Sequence, residues 1–271
     1  MILKSFAKMN LGLEIKKKRI DGFHNLNTIM QSLNLFDIIK ISKINLNKIF
    51  VECNKNVCKM EENLAYKAAK IIFDLINPNF GIKIEIQKNI PTGAGLGGGS
   101  SNAAAVLFGM NKILNLNFPK NKIIEICEKL GSDVPFCYFG GTMLCRGKGE
   151  ILSKINSLPE CQFLLKFNNQ KNYTKKLFKQ FDDFIDNNLE NNKFKIKMLK
   201  DAILSGNIEK LSRKCFNNFE QIIKVPHGWH LTGSGSAIFK IVNKNYINLD
   251  NNILTYKPVN YGVEIIEDNW N

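Results

Sequence analysis

The chain has 271 residues, 44% of them hydrophobic and 23% charged, which is enough apolar material for a core and too much for a disordered polypeptide. Its apolar runs are short and broken by Lys or Asn, which excludes a membrane-spanning helix of about 20 residues. The net charge of +14 is spread along the chain with an abundance of Lys, Asn and Ile, so it argues for a generally positive field suited to an anionic ligand and against one nucleic-acid patch. Seven cysteines without a CxxC pair or a histidine cluster read as reduced, mostly buried thiols. The opening ILKSFAKMN lacks the apolar stretch of a secretory signal, and the expectation is a cytoplasmic protein without membrane or nucleic-acid partners.

Residues 1–50 alternate apolar and polar stretches around a turn signal at Asp21-Gly22 and read as strands, with Lys16 to Arg19 a solvated turn between them. Glu62 to Leu75 reads as a helix with Leu64, Ala68, Ile71, Ile72 and Leu75 on one face. GIKIEIQ alternates Ile82, Ile84 and Ile86 with polar residues, which predicts a strand with one buried face. Its end at Ile90-Pro91 leads into PTGAGLGGGSS, and a helix is expected to begin near Ser100 or Ser101. Lys120 to Leu130 is a further helix, stopped by Gly131. Pro159 marks a change of domain. Helical patterns follow at Lys175 to Asn187, Lys195 to Leu204 and Ile208 to Cys215, then a strand at Ala237 to Val242. The stretch from Asn187 to Lys197 reads equally as helix or loose surface.

A strand, a glycine-rich loop and a helix make a phosphate-binding unit. Glycines at positive φ let amide N–H groups converge on an anion, and the helix adds its free N–H groups and dipole. A Walker A loop is excluded because Gly99 is followed by Ser100 and Ser101 with no lysine. Gly93, Gly95 and Gly98 fit GxGxxG, but no acidic residue stands about 20 positions on to hold a ribose. A plain tight turn needs one or two glycines, not five. The expected occupant of Pro91, Thr92, Gly93, Ala94, Gly95, Leu96, Gly97, Gly98, Gly99, Ser100 and Ser101 is therefore a polyphosphate, most simply that of ATP, with the serines capping the helix.

GLGGGSSNAA resembles the central motif of the GHMP kinases. SFAKMNLGLEI with DGFHNLNTIMQSLNLFD resembles the opening of the diphosphocytidyl-methylerythritol kinases within that superfamily. LGSDVPFCYFGGTMLCRGKGEIL resembles their segment carrying the catalytic aspartate, and LTGSGSAIFKI the third, glycine-rich GHMP motif. The resemblance implies an α+β, two-domain GHMP kinase fold. Residues 1–157 would be a ribosomal protein S5 domain 2-like N-terminal domain carrying the glycine loop, and residues 158–271 a ferredoxin-like C-terminal domain. It implies ATP as donor, with Mg2+, and a cytidine diphosphate-linked methylerythritol as acceptor, in the non-mevalonate route to isoprenoid precursors. A GHMP kinase with another acceptor, of homoserine or mevalonate type, and an RNA-binding protein of related fold are the alternatives. A monomer or weak homodimer is expected.

Under that resemblance Asp133 is the catalytic base, where the sequence alone offers a helix N-cap equally well, and Lys8 is its partner. Phe23 and His24 would meet the cytosine by stacking and edge hydrogen bonds. The family usually has Tyr where this chain has Phe23, so a hydroxyl is lost while the ring face stays. A second stacking ring is expected from Phe178, four residues after Thr174, with Tyr173 the alternative. Asn10 suits the polyol or its phosphate, Lys148 the diphosphate, and Gly233 and Gly235 would close the site. The residues that hold the metal are left open.

Overall fold

The structure is a computed structural model that describes residues 1–55, 58–167, 174–187 and 195–270. Two long strands, β1 (Ile2–Lys18) and β2 (His24–Ile44), pair antiparallel and carry much of the molecule. The turn between them follows the Asp21-Gly22 signal, with Gly22 at φ 83°. Strand β1 continues through Lys18, so most of the basic run is strand rather than turn. Register shifts at Phe6/Ala7, Asn10/Gly12 and Ile15/Lys18 bend the ribbon and re-aim its side chains.

The chain continues through β3 (Ile49–Cys53), α1 (Leu64–Ile76) and β4 (Gly81–Gln87), in which β3 and β4 are parallel and adjacent. The glycine loop then enters α2 (Gly98–Ile113), followed by α3 (Lys120–Leu130), α4 (Val134–Phe139), β5 (Thr142–Gly147) and β6 (Ile151–Lys154). The remainder comprises β7 (Cys161–Phe167), α5 (Thr174–Asn187), α6 (Lys195–Leu204), α7 (Ile208–Lys214), β8 (Phe216–Asn217), β9 (His230–Leu231), β10 (Ala237–Asn243), β11 (Leu254–Tyr256), β12 (Pro258–Val259) and β13 (Val263–Glu267). One sheet runs β13-β1-β2-β4-β3, with β5, β6, β8 and β12 attached to it. The second runs β11-β7-β10-β9. Strands β8, β12 and β13, late in the chain, thus return to pair with β1 and β2.

Helix α2 is buried nearly all round. Ala103, Ala104, Ala105, Val106 and Leu107 are fully covered, and their small side chains let α1 and the sheet approach closely. On α1 the buried face is Ala65, Ala68, Ala69, Ile72 and Phe73. Leu75, expected on that face, is half exposed because the small alanines set the contact stripe. A second core lies between the two sheets and α6, and a third joins Leu177 and Phe181 of α5 to Leu13 and Ile15 of β1. These cores hold the second half of the chain against the strand that carries Lys8 and Asn10. The cysteines are all free, with five buried and Cys58 exposed. Among the described residues no helix is long and apolar enough to cross a membrane.

Candidate functional site

The glycine loop alternates. Gly93, Gly95 and Gly97 take φ of 75°, 81° and 69°, the left-handed region that glycine tolerates, while Ala94 and Leu96 between them tuck into the second core. The apolar side chains anchor the loop and the glycines turn the backbone outward. The carbonyls of Leu96 and Ala94 are occupied, accepting from the amides of Lys8 (3.0 Å) and Ala237 (3.2 Å). Among the described residues, no amide from Thr92 to Gly97 donates a hydrogen bond. Helix α2 begins at Gly98, two residues earlier than expected, and its N-cap is Gly97 with no side-chain cap. The serines therefore do not cap it. Ser101 is buried and donates to the Phe6 carbonyl at 2.8 Å, pinning the helix to β1, while Ser100 faces the cavity. The result is a cavity of about 300 Å³ walled by unpaired amides and a helix N-terminus, with Lys8 and Lys88 on its flanks. Free donors and cations without a covering side chain fit a polyphosphate.

Lys8 and Asn10 stand two apart on β1 and so share a face. Lys8 Nζ donates to Asn10 Oδ1 at 2.7 Å and lies 3.4 Å from Asp133 Oδ2. Asn10 is fixed in turn: its side-chain amide donates to Thr28 Oγ1 (2.8 Å) and its backbone amide to Thr232 Oγ1 (3.1 Å). Asp133 precedes α4 at the N-cap position, yet its carboxylate makes no capping bond. It faces Lys8 instead, and it remains one-third exposed.

A second cavity of about 300 Å³ opens on the other side of this pair. Lys8, Ser100, Asp133, Thr174 and Ser234 line both. The second contains Asn10, Phe23, His24, Lys148, Phe178 and Gly233. His24 and Phe178 stack on each other with ring centroids 4.9 Å apart and 22° between planes. Phe178 is braced edge-on by Phe219 at 5.0 Å. The Lys148 ammonium lies 5.2 Å over the half-exposed ring of Phe23. Thr174 and Ser234 share a hydroxyl contact at 2.8 Å, which links the start of α5 to the β9–β10 turn. Tyr173 lies outside the described residues.

The TGSGS segment joins two antiparallel strands, as a hairpin turn would, and it also presses on the glycine loop. A β-carbon on Gly235 would overlap the backbone of Ala94 and Gly95, and one on Gly233 would lie 3.2 Å from Lys8 Nζ. Every site residue expected within the described chain, from Lys8 to Gly235, thus lines one of the two cavities, except Ser101, which is structural.

Sequence reasoning missed a buried group behind the loop. Lys88 donates to the carboxylate of Asp37 and, at 3.0 Å, to Asn102 Oδ1. Asp37 Oδ1 also accepts from the amides of Asn89 (2.6 Å) and Ile90 (2.8 Å). Strand β2, the end of β4 and the start of α2 are thereby tied together at the root of the loop. Also missed was Asp182, which contacts His24.

The GHMP kinases N terminal domain model matches residues 63–141. The 4-diphosphocytidyl-2-C-methyl-D-erythritol kinase of Caldicellulosiruptor saccharolyticus is 38% identical over 267 residues, covering 91% of this chain and 89% of its own. The chain belongs to this kinase family. The Caldicellulosiruptor bescii member is 36% identical, with 91% of both chains covered. A crystal structure of a 4-(cytidine 5'-diphospho)-2C-methyl-D-erythritol kinase superposes with a TM-score of 0.72 at 26% identity, covering 89% of this chain and 90% of that one. The α+β architecture is accordingly that of a GHMP kinase, and the chain is an enzyme of the class that phosphorylates small-molecule alcohols.

Proposed function

We propose that the chain transfers the γ-phosphoryl group of ATP to a hydroxyl of 4-diphosphocytidyl-2-C-methyl-D-erythritol, giving the 2-phosphate, in the non-mevalonate route to isoprenoid precursors. The observation that carries this reading is the Lys8–Asp133 pair at the junction of two cavities, one lined by unpaired amides and the other by aromatic rings.

The triphosphate occupies the loop from Pro91 to Ser100, with Ser101 holding the helix in place. The acceptor hydroxyl lies beside Asp133. As its oxygen bonds to the γ-phosphorus, the bond to the β–γ bridging oxygen breaks, ADP leaves, and the hydroxyl proton passes to the Asp133 carboxylate. Lys8 balances the carboxylate and the charge on the transferring group. When bound with ATP, Mg2+ would supply neutralisation of the phosphate charge. The Ser100 hydroxyl and the Asp133 carboxylate, which line the phosphate cavity, are the protein oxygens that would hold the ion beside the phosphates.

The cytosine stacks between Phe23 and Phe178, with its edge on His24. Asn10 meets the polyol, Lys148 the diphosphate, and Gly233 and Gly235 close the cleft. In domain terms, residues 1–157 form the ribosomal protein S5 domain 2-like part and residues 158–271 the ferredoxin-like part, from which β8, β12 and β13 return to the first sheet. The enzyme acts as a cytoplasmic monomer or weak homodimer without nucleic acid. ADP release measured with the diphosphocytidyl alcohol, with mevalonate and with homoserine tests this directly. Turnover on the first alone is expected, and equal or absent turnover on all three overturns it.

A further inference from the structure

Helix α5 places two side chains one turn apart against the β1–β2 hairpin: Phe178, which stacks on His24, and Asp182, which bonds it. Asp182 Oδ1 lies 2.6 Å from His24 Nε2, and its other oxygen lies 3.2 Å from Lys18 Nζ. His24 is 8% exposed, so the ring is clamped on a face by Phe178 and at one nitrogen by Asp182. A carboxylate only accepts, so Nε2 must carry the proton, and in the neutral ring Nδ1 is left with a lone pair.

We propose that Asp182 is a positioning residue that sets base specificity by fixing the His24 tautomer. An Nδ1 lone pair accepts from the exocyclic amino group of a cytosine. It repels the carbonyl oxygen that a uracil carries at the same place. The chain thereby selects cytidine over uridine derivatives through a residue that never touches the base. This rests on the reading of His24 as the group at the base edge.

Asp182→Asn keeps shape and size while letting an amide donate to Nε2, which frees the ring to move its proton to Nδ1. The test has two parts. Imidazole 15N spectra of the unliganded protein in mildly alkaline buffer report the tautomer. Titrations of cytidine 5′-diphosphate and uridine 5′-diphosphate, with the donor cavity saturated by a non-hydrolysable ATP analogue, report selectivity without any turnover. The wild type is expected to show Nε2 protonated and Nδ1 bare, with a preference for the cytidine nucleotide. Asp182→Asn shifts the proton toward Nδ1 and reduces the preference about fivefold to tenfold, the value of one hydrogen bond. Asp182→Glu retains part of it, and Lys18→Met, which removes only the outer ion pair, leaves it unchanged. A wild-type ring protonated at Nδ1, no cytidine preference in the wild type, or an undiminished preference in Asp182→Asn overturns the assignment. If cytidine selectivity behaves as stated but the diphosphocytidyl alcohol is not phosphorylated, the proposed reaction fails and the role of Asp182 stands.

Discussion

The backbone of Gly235 lies directly on that of Ala94, so close that a β-carbon at 235 would overlap the Ala94 carbonyl carbon. The hydrogen bond from the Ala237 amide to the Ala94 carbonyl locks the same contact. A turn from late in the chain thus sets the height of the phosphate loop. Gly235→Ala should displace the loop and raise KM for ATP about tenfold to a hundredfold, the scale of an ångström misplacement. Gly206→Ala is the control. Its φ is positive, 66°, but open space surrounds it and it takes no part in either cavity. It should cost about 1–2 kcal/mol of stability and leave KM unchanged. Steady-state kinetics and urea unfolding separate the two.

Asp37 and Lys88 form a buried ion pair behind the loop, with the carboxylate fully covered. Removing one partner strands the other charge. Asp37→Asn should destabilise the fold by about 3–5 kcal/mol, read from the urea midpoint. Asp37→Asn combined with Lys88→Met should cost less than the sum of the single changes. Additive losses would show that the two groups act independently.

Phe178 presents its ring to the acceptor cavity while Phe219 braces it from behind. Phe178→Ala should raise KM for the diphosphocytidyl alcohol about tenfold to a hundredfold, the worth of one base-stacking face. KM for ATP should stay within about twofold of wild type, since the ring does not line the phosphate cavity. An equal rise in both constants would place Phe178 in general packing.

Burial pushes the thiols of Cys127 and Cys161 up to about 12, and those of Cys137 and Cys215 well above their ordinary value. In the unfolded chain a thiol ionises near pH ~8.5. Between that pH and about 12 the native state therefore holds protons that the unfolded state has lost, and stability falls as pH rises. Each such thiol contributes a slope of about 1.4 kcal/mol per pH unit in that window. Urea unfolding at several alkaline pH values should show a shallower decline in Cys161→Ala.

Much of this was legible in the sequence because it is local. The alternation in GIKIEIQ, the density of glycine after Pro91, and the Lys120–Leu130 pattern each specify backbone geometry within a few residues. The start of α2 was misjudged because Ser100 and Ser101 look like caps, whereas Gly97 at φ 69° already turns the chain into the helix. Asp37, Lys88 and Asp182 were invisible for a different reason. A lone Asp in LFD or a lone Lys in QKN carries no periodic signal, and their partners lie 51 and 158 residues away. The tertiary fold alone makes them neighbours.

The central claim is that Asp133 handles the acceptor hydroxyl at the junction of the two cavities. Asp133→Asn keeps the shape of the side chain and removes its charge, and the carboxylate carries no capping bond whose loss would unfold α4. Single-turnover phosphorylation of the diphosphocytidyl alcohol, with nucleotide affinity measured on the same sample, is the most direct test. The expected result is a rate lowered about 10²–10⁴-fold with ATP affinity retained. A near-normal rate in the variant would contradict the assignment.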